Sequence, residues 1–294
     1  MTTPATKSAA ATVIPSRFRA ESVERTPWAR SAIHLVISLG GRLDADLLHK
    51  AVRLTLDAEP ILGCGFVEHW FRPYWQRYED LDGLPFFEIR ETKNPEDEVR
   101  SFLTSRLTLP VRVLLLRENS DRVCVKFDHR VGDGVALAQF GRLLADTYTR
   151  LHDDPDYRPV PRVDYDRSIR EISSRFSIRQ RFKFLREAFK TLRRLGPAGY
   201  WSFPPDAASA PHDFVIRRLS PERVRRIRNF AYQRRATAYH VLLVAFFLAL
   251  CDSIPYSSDR PLRVLCPVDL RRYPGATSNR PLCNLTGQIG RAHV

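Results

Sequence analysis

Apolar residues recur along this chain with two different periods, and the two periods follow each other in turn. Alternating or continuous apolar runs predict strands, and apolar residues three or four positions apart predict helices. The predicted strands cover residues 33–39, 64–70, 75–78, 86–90, 111–116, 122–127, 214–219 and 262–267. The predicted helices cover residues 45–58 after Asp44, 95–106 after Asn94, a stretch ending near 151, 221–233 and 238–251. This succession predicts an α/β fold, built as an α+β two-layer sandwich.

The pattern changes most sharply between the strand at 122–127 and the helix that follows it. Alternate residues of this strand share one face with His129, and that face is apolar until it reaches His129. A helical pattern restarts at Val135. Because histidine titrates near neutral pH, His129 is a candidate general base at the junction. The alternative is a structural histidine that hydrogen-bonds a carbonyl group at the strand end.

The pattern His-x-x-x-Asp-Gly, formed by His129, Asp133 and Gly134, resembles a known signature. It is similar to the His-His-x-x-x-Asp-Gly signature of the CoA- and carrier-dependent acyltransferase superfamily. That superfamily includes chloramphenicol acetyltransferase, peptide-synthetase condensation domains, alcohol acetyltransferases and wax ester synthases. Further similar segments follow in the order of the family, at residues 39–48, 109–116, 219–222, 236–240 and 267–271. The resemblance implies a chloramphenicol-acetyltransferase-like lobe, a partial second lobe of the same type, and an active site between them.

The resemblance assigns the catalytic base to His129 and places Asp128 where the family has its first histidine, in a supporting role. Strand alternation directs Asp128 away from His129, so we do not expect Asp128 to orient the imidazole. Arg130 is expected to face solvent, where a CoA phosphate is a candidate contact. Gly134 suits a tight turn or a close approach of substrate.

Asp133 precedes a predicted helix, where its carboxylate is expected to accept backbone N–H bonds as a cap. The resemblance adds an ion pair between Asp133 and an arginine of the second lobe, for which Arg271 is the candidate. Asn284 aligns loosely with an asparagine-containing strand of that lobe and is a candidate substrate-binding residue. No group of residues has the spacing of a metal site.

The implied reaction is acyl transfer from an acyl-CoA or acyl-carrier thioester to a hydroxyl or amine acceptor. No bound cofactor or metal is expected, because a thioester is already activated. The expected partners are the donor, the acceptor and, as further candidates, a carrier protein and an anionic membrane surface. The presence of Asp128 in place of histidine leaves a non-catalytic binding module as an alternative function. A basic peripheral membrane protein is a third hypothesis.

The chain has 294 residues and a net charge of +14, and much of this charge lies between Arg167 and Arg194. Ten basic residues there accompany Glu171 and Glu187, and apolar residues are interleaved at helical spacing. This pattern predicts a basic amphipathic helix. One interpretation is a linker helix whose apolar stripe packs on the protein; the other is a helix on an anionic membrane surface. No nucleic-acid-binding motif accompanies the charge, so nucleic acid is not an expected partner.

The predicted organisation is a disordered tail (1–14), an N-terminal lobe (15–165), a basic helical linker (166–212) and an incomplete second lobe (213–288). The last residues, 289–294, match the peptide that a common sequencing-library adapter encodes. We therefore expect a non-native tail, with a genuine polar tail as the alternative, and a fragment with weak or no activity.

The location of the protein is predicted from its cysteines and its apolar runs. Five cysteines without Cys-x-x-Cys spacing indicate reduced thiols and a cytoplasmic protein, with the inner face of the membrane as a peripheral location. The apolar run at 241–250 is too short to span a bilayer and is expected to form a buried helix.

Overall fold

The computed structural model describes residues 12–25, 31–163, 167–195, 217–253, 265–272 and 282–290. The strands are β1 (Arg17–Arg19), β2 (Ala32–Ser38), β3 (Cys64–Val67), β4 (Tyr74–Arg77), β5 (Phe87–Glu91), β6 (Val111–Arg117), β7 (Asp121–Asp128), β8 (Leu265–Asp269) and β9 (Thr286–Gly290). The helices are α1 (Ala45–Ala58), α2 (Pro95–Thr104), α3 (Gly134–Asp153), α4 (Arg170–Ser174), α5 (Ile178–Leu195), α6 (Pro221–Gln233) and α7 (Ala238–Ser253).

A four-stranded sheet in the order β2-β7-β6-β5 forms the centre of the first compact unit. β7 pairs antiparallel with β2 and β6, and β5 runs parallel to β6. A smaller sheet, in the order β1-β4-β3, accompanies it, and β8 pairs with β9. The contacts divide the chain into one unit of residues 1–177 and 269–287 and a second unit of residues 178–268 and 288–294. The segment 269–287, predicted as part of the second lobe, thus groups with the first unit.

Strand β7 lies in the middle of the sheet and is buried on both faces. Val123, Val125 and Phe127 pack into the main core, to which α1 and α3 contribute. Cys124 packs on the opposite face with residues of α2. Lys126, on that second face, donates to the carbonyl oxygens of Phe102 and Ser105. Burial lowers the pKa of Lys126, and the hydrogen bonds make this interior position tolerable for an amine.

Several predicted elements are confirmed almost residue for residue. α1 and α6 have the predicted bounds, and Asp44 caps α1 by accepting from the backbone N–H of Leu47. The basic segment contains two helices, α4 and α5, where one was predicted. The strand predicted at 214–219 falls partly outside the described residues, and residues 217–219 are not in a strand.

The expectation that residues 241–250 form a buried helix is wrong for the part of the chain that the structure describes. α7 has the predicted position, but Phe247 is its one buried side chain, and Leu242, Val244, Phe246 and Leu248 are exposed. α7 packs on α6, which covers only part of its surface. Among described residues no single helix is long and apolar enough to cross a membrane; α6 and α7 pass that test only as a pair bent by 100°.

Glu59, directly after α1, anchors a remote segment to the first unit. Its side chain is buried; Oε1 lies 2.7 Å from Arg162 Nη1 and Oε2 accepts from the backbone N–H of Leu282 at 3.3 Å. Burial raises the pKa of Glu59, and the attraction of Arg162 opposes this only partly. The charged form of this carboxyl group is therefore disfavoured in the folded protein.

This raised pKa predicts the effect of neutralising Glu59. Ionisation costs stability as the pH rises above the usual value of 4.5 through the raised pKa. We expect Glu59→Gln, which keeps an acceptor for Leu282, to be more stable than the wild type at pH 7 by up to about 1 kcal/mol. The gain should disappear near pH 4, where Glu59 is protonated. Urea unfolding at both pH values measures this.

The control is Glu59→Ala, which removes both acceptors and should lose about 2 kcal/mol at pH 7. If Glu59→Gln lost as much as Glu59→Ala, the ionised pair would be net stabilising and the prediction would be wrong.

Candidate active site

His129 lies directly after β7, at the point where the central strand leaves the sheet. Its backbone N–H donates to the carbonyl oxygen of Ser31 at 3.0 Å, which extends the β2–β7 pairing by one residue. The ring is half-buried, so it combines a fixed backbone with an accessible side chain. This position suits a group that exchanges protons with a bound molecule.

Asn284 lies next to His129, although the two residues are 155 positions apart. Asn284 is buried, and its Nδ2 lies 3.4 Å from His129 Nδ1. Its Oδ1 accepts from the backbone N–H of Thr286 at 3.2 Å, and this bond sets the orientation of the amide. An amide NH₂ group only donates, so this contact is a hydrogen bond when Nδ1 of His129 carries no proton. Asn284 is therefore placed to hydrogen-bond the ring of His129.

The Asp133 carboxylate accepts five hydrogen bonds in a buried position. Oδ1 caps α3 by accepting from the backbone N–H groups of Val135 and Ala136 at 3.1 and 3.0 Å. Oδ2 accepts from Arg271 Nη1, the Leu285 backbone N–H and Thr286 Oγ1, at 2.9, 2.9 and 3.0 Å. Burial acts to raise the pKa of Asp133, but these donors, with Arg271 foremost, hold it below its usual value.

The structure therefore contains both contacts expected of Asp133, the helix cap and the ion pair with Arg271. Arg271 also donates from Nη2 to the carbonyl oxygen of Cys283 at 2.7 Å. The segment that carries Asn284 is thus bonded to Asp133 through Leu285 and Thr286, and to Arg271 through Cys283.

In this loop the surroundings of Gly132 leave no room for a side chain, whereas those of Gly134 do. A Cβ atom on Gly132 would lie 2.5 Å from Cβ of Ala136, with the Cys283 carbonyl oxygen also near. A Cβ atom on Gly134 would meet nothing within 4 Å, and its φ is not positive. The tight-turn explanation of Gly134 is therefore wrong. A close approach of substrate stays a prediction for this position.

Asp128 binds Arg130 with both carboxylate oxygens. Oδ2 accepts from Arg130 Nη2 at 2.6 Å, and Oδ1 accepts from the backbone N–H and Nε of Arg130. The guanidinium lies 4.7 Å from the centre of the Phe66 ring and near Trp75. The expectation that Arg130 faces solvent is therefore wrong, because an adjacent carboxylate and two rings hold its side chain against the protein.

Arg167 supports the same loop from a position that sequence reasoning assigned to the linker. Its buried guanidinium lies 3.0 Å from Glu24 Oε1 and donates to the carbonyl oxygens of Val131 and Leu282. Trp75 Nε1 donates to the second oxygen of Glu24. In the sequence Arg167 is the first of a run of basic residues, and nothing in its surroundings distinguishes it from the exposed ones. No pattern would have singled it out.

Groups of three or more histidine, cysteine, aspartate or glutamate side chains arranged to hold a metal are absent from the described residues. The cavity beside the β3–β4 loop, of about 270 Å³, is lined by other residues: Arg25, Phe66, Glu68, His69, Trp70 and Pro73. None of these was predicted as a site residue.

The fold is that of the chloramphenicol-acetyltransferase-like lobes found in condensation domains, and the α/β fold class predicted from the sequence is confirmed. The sequence profile of the condensation domain family matches residues 29–257. The chain therefore belongs to the condensation domain family, and the resemblance inferred from its sequence is confirmed at that level. No curated protein matches the chain in sequence.

Three solved structures illustrate the likeness. The first condensation domain of the calcium-dependent antibiotic synthetase is 22% identical with a TM-score of 0.66, over 93% of this chain and 68% of that one. Polyketide synthase associated protein 5 from Mycobacterium tuberculosis is 19% identical with a TM-score of 0.62, over 90% of this chain and 62% of that one. SgcC5 from Streptomyces globisporus is 15% identical with a TM-score of 0.64, over 88% of this chain and 61% of that one. The chain thus spans about three fifths of the length of the last two.

The buried Asp133 carboxylate predicts an acid-sensitive contribution to stability. Because the pKa of Asp133 is lowered in the folded state, its contribution is present above the usual value of 3.8 and is lost as the pH falls through the lowered pKa. We expect Asp133→Asn to lower the free energy of unfolding by about 3 kcal/mol at pH 7. The difference from the wild type should shrink below pH 3.8, as measured by urea unfolding.

Asp269→Asn is the matched control, because Asp269 Oδ1 contacts the same Nη1 of Arg271 at 3.2 Å and is more exposed. It should cost at most about 1 kcal/mol. Equal losses in the two variants would contradict the central role of Asp133.

The Asp128–Arg130 pair predicts a measurable coupling between these side chains. In a double-mutant cycle of Asp128→Asn and Arg130→Met, we expect a coupling energy of about 2 kcal/mol, because the pair is largely shielded from water. Arg122 and Glu96, 2.7 Å apart on a more exposed surface, form the control pair and should couple by about 0.5 kcal/mol. A coupling no larger than that of the control would show that Asp128 does not hold Arg130.

Proposed function

We propose that this protein transfers an acyl group from a thioester to a hydroxyl or amine acceptor, with His129 as the general base. The observation that carries the proposal is the position of His129. Its half-buried ring follows the central strand, contacts Asn284, and belongs to a loop tied down through Asp133 and Arg271. Membership in the condensation domain family supports the same reaction class.

In the proposed reaction, His129 accepts the proton of the acceptor as the acceptor oxygen or nitrogen attacks the thioester carbonyl carbon. The tetrahedral intermediate collapses by breaking the C–S bond, and His129 returns the proton to the departing thiolate. A general base of this kind contributes about 10²- to 10⁴-fold to the rate. The donor is an acyl-CoA or a carrier-protein thioester.

Asn284 determines which ring nitrogen of His129 is available for this step. With Asn284 Nδ2 beside Nδ1, a hydrogen bond between the two groups requires the lone pair to lie on Nδ1. Rotating the Asn284 amide by half a turn presents Oδ1 to Nδ1–H and leaves the lone pair on Nε2. The rotation sacrifices the hydrogen bond from the Thr286 backbone, which is worth about 1 kcal/mol. That cost is small beside the rate gain expected of the base, so both tautomers are accessible to the site.

Two of the related structures are consistent with the proposed substrates. SgcC5 was solved in complex with an aryl ethanediol, which carries hydroxyl groups. Another structure, 17% identical with a TM-score of 0.61, concerns condensation domain-mediated chain release from the enacyloxin polyketide synthase. These two structures motivate an alcohol acceptor and a synthase-bound donor as the first substrates to assay.

The test is thiol release from acyl-CoA and acyl-carrier thioesters in the presence of alcohol and amine acceptors. It is run on the 294-residue chain and on the product of the whole reading frame at its locus. We expect His129→Ala to lower the rate of the active form by about 10²- to 10⁴-fold while leaving its unfolding midpoint unchanged. His152→Ala, which alters an exposed histidine at the end of α3, is the control and should keep the wild-type rate. Turnover that survives His129→Ala would overturn the proposal.

A further inference from the structure

Helix α5 presents a basic and apolar surface that the proposed reaction does not use. Its 18 residues include seven basic side chains and one acidic side chain, Glu187. At 1.5 Å per residue the helix is about 27 Å long. Glu187 lies 3.4 Å from Lys190 and 3.7 Å from Arg186, so its charge is locally offset.

The apolar and basic residues of α5 lie on adjacent faces. At 100° per residue, Ile178, Phe182, Leu185 and Phe189 fall within one narrow sector. The neighbouring sector holds basic residues, all exposed: Arg179, Lys183, Arg186, Lys190 and Arg193. The helix therefore has the division into two faces that is typical of helices lying in a membrane interface.

The apolar face is exposed to solvent. Ile178, Phe182, Leu185 and Phe189 retain 72%, 69%, 61% and 58% of their surface, respectively. The linker interpretation, in which this stripe packs on the protein, requires burial that the described residues do not show. Continuous apolar surface of this kind marks an interaction site.

We propose that α5 binds the surface of an anionic lipid bilayer, with its apolar face in the interface and its basic side chains at the headgroups. Each basic residue near such a surface contributes about 1 kcal/mol, so the charge of α5 favours a negatively charged partner. A second copy of the chain would bring two strongly positive helices together. Nucleic acid or an acidic protein would satisfy the charge but leave Phe182 and Phe189 on the apolar face uncovered. The proposal does not depend on His129 chemistry.

The first experiment is co-sedimentation of the 294-residue protein with vesicles of phosphatidylcholine, alone and mixed with phosphatidylglycerol. We expect partitioning onto the mixed vesicles, weakened by salt, and none onto neutral vesicles. The triple variant Arg179→Gln, Lys183→Gln, Arg186→Gln should weaken partitioning by roughly 100-fold. A charge-matched control on α6, Arg225→Gln, Arg226→Gln, Arg228→Gln, should stay within about threefold of the wild type.

A second pair of variants tests the apolar face. Phe182→Ser with Phe189→Ser should weaken partitioning at least about tenfold while keeping every charge. Phe246→Ser with Leu248→Ser on the exposed face of α7 is the matched control and should leave partitioning unchanged. All substituted side chains are exposed, so circular dichroism and the unfolding midpoint should match the wild type.

Insertion of α5 into the bilayer is measured with the variant Phe182→Trp. The fluorescence of the introduced tryptophan should shift to the blue on vesicle binding and be quenched by brominated lipid. Three results would overturn the proposal: no binding to anionic vesicles, equal losses in the α5 and control variants, or binding that ignores the loss of both phenylalanines. The last result, together with binding to RNA or to an acidic carrier protein, would assign the basic face to that partner. None of these experiments measures thiol release. A negative result for membrane binding would therefore leave the proposed acyl transfer untouched, and the reverse also holds.

Discussion

The carboxylate of Asp133 joins the start of α3 to Arg271 and to residues 285–286, which lie 138 and 152 or more positions further along the chain. It caps α3, accepts from Arg271, and accepts from the backbone and side chain of the segment at 285–286. A buried carboxylate is costly unless its oxygens are satisfied, and here five donors satisfy them. The position of Asn284 beside His129 follows from these contacts, because Asn284 directly precedes the bonded residues. The geometry of the candidate base thus depends on a residue that touches no reacting atom.

A second set of buried charges supports the same loop from the other side. Arg167 pairs with Glu24 and donates to carbonyl oxygens on both sides of the site, at Val131 and Leu282. Glu59 accepts from the backbone N–H of Leu282. Each of these groups has a partner. The loop is therefore held by directional polar contacts, which specify one conformation more strictly than apolar packing would. Asp128, directly before His129, is held by its contact with Arg130.

The sequence was sufficient to predict the elements around the site because their periods are strong and local. α1, the β6–β7 hairpin and α6 follow directly from apolar spacing and from caps such as Asp44. The signature of His129, Asp133 and Gly134 drew attention to this loop, and the family resemblance suggested the contact of Asp133 with Arg271. Arg167 and Glu59 could not be predicted, because they pair with Glu24 and Arg162, each more than 100 residues away in the sequence. The burial of α7 was predicted wrongly, since composition indicates which side chains avoid water but not whether a neighbour covers them.

The long separation between Asp133 and its partners has a consequence for the order in which the protein forms. Contacts between residues far apart in sequence pay a large loop-closure entropy, so they form late and slow the final stage of folding. During synthesis, the central sheet and α3 emerge well before residues 271–286 leave the ribosome. Until then the nascent chain lacks Arg271 and Asn284, and His129 has neither its amide neighbour nor the arginine that closes its loop. Formation of the candidate site is therefore a late event in biosynthesis, separate in time from formation of the sheet and helix that support it.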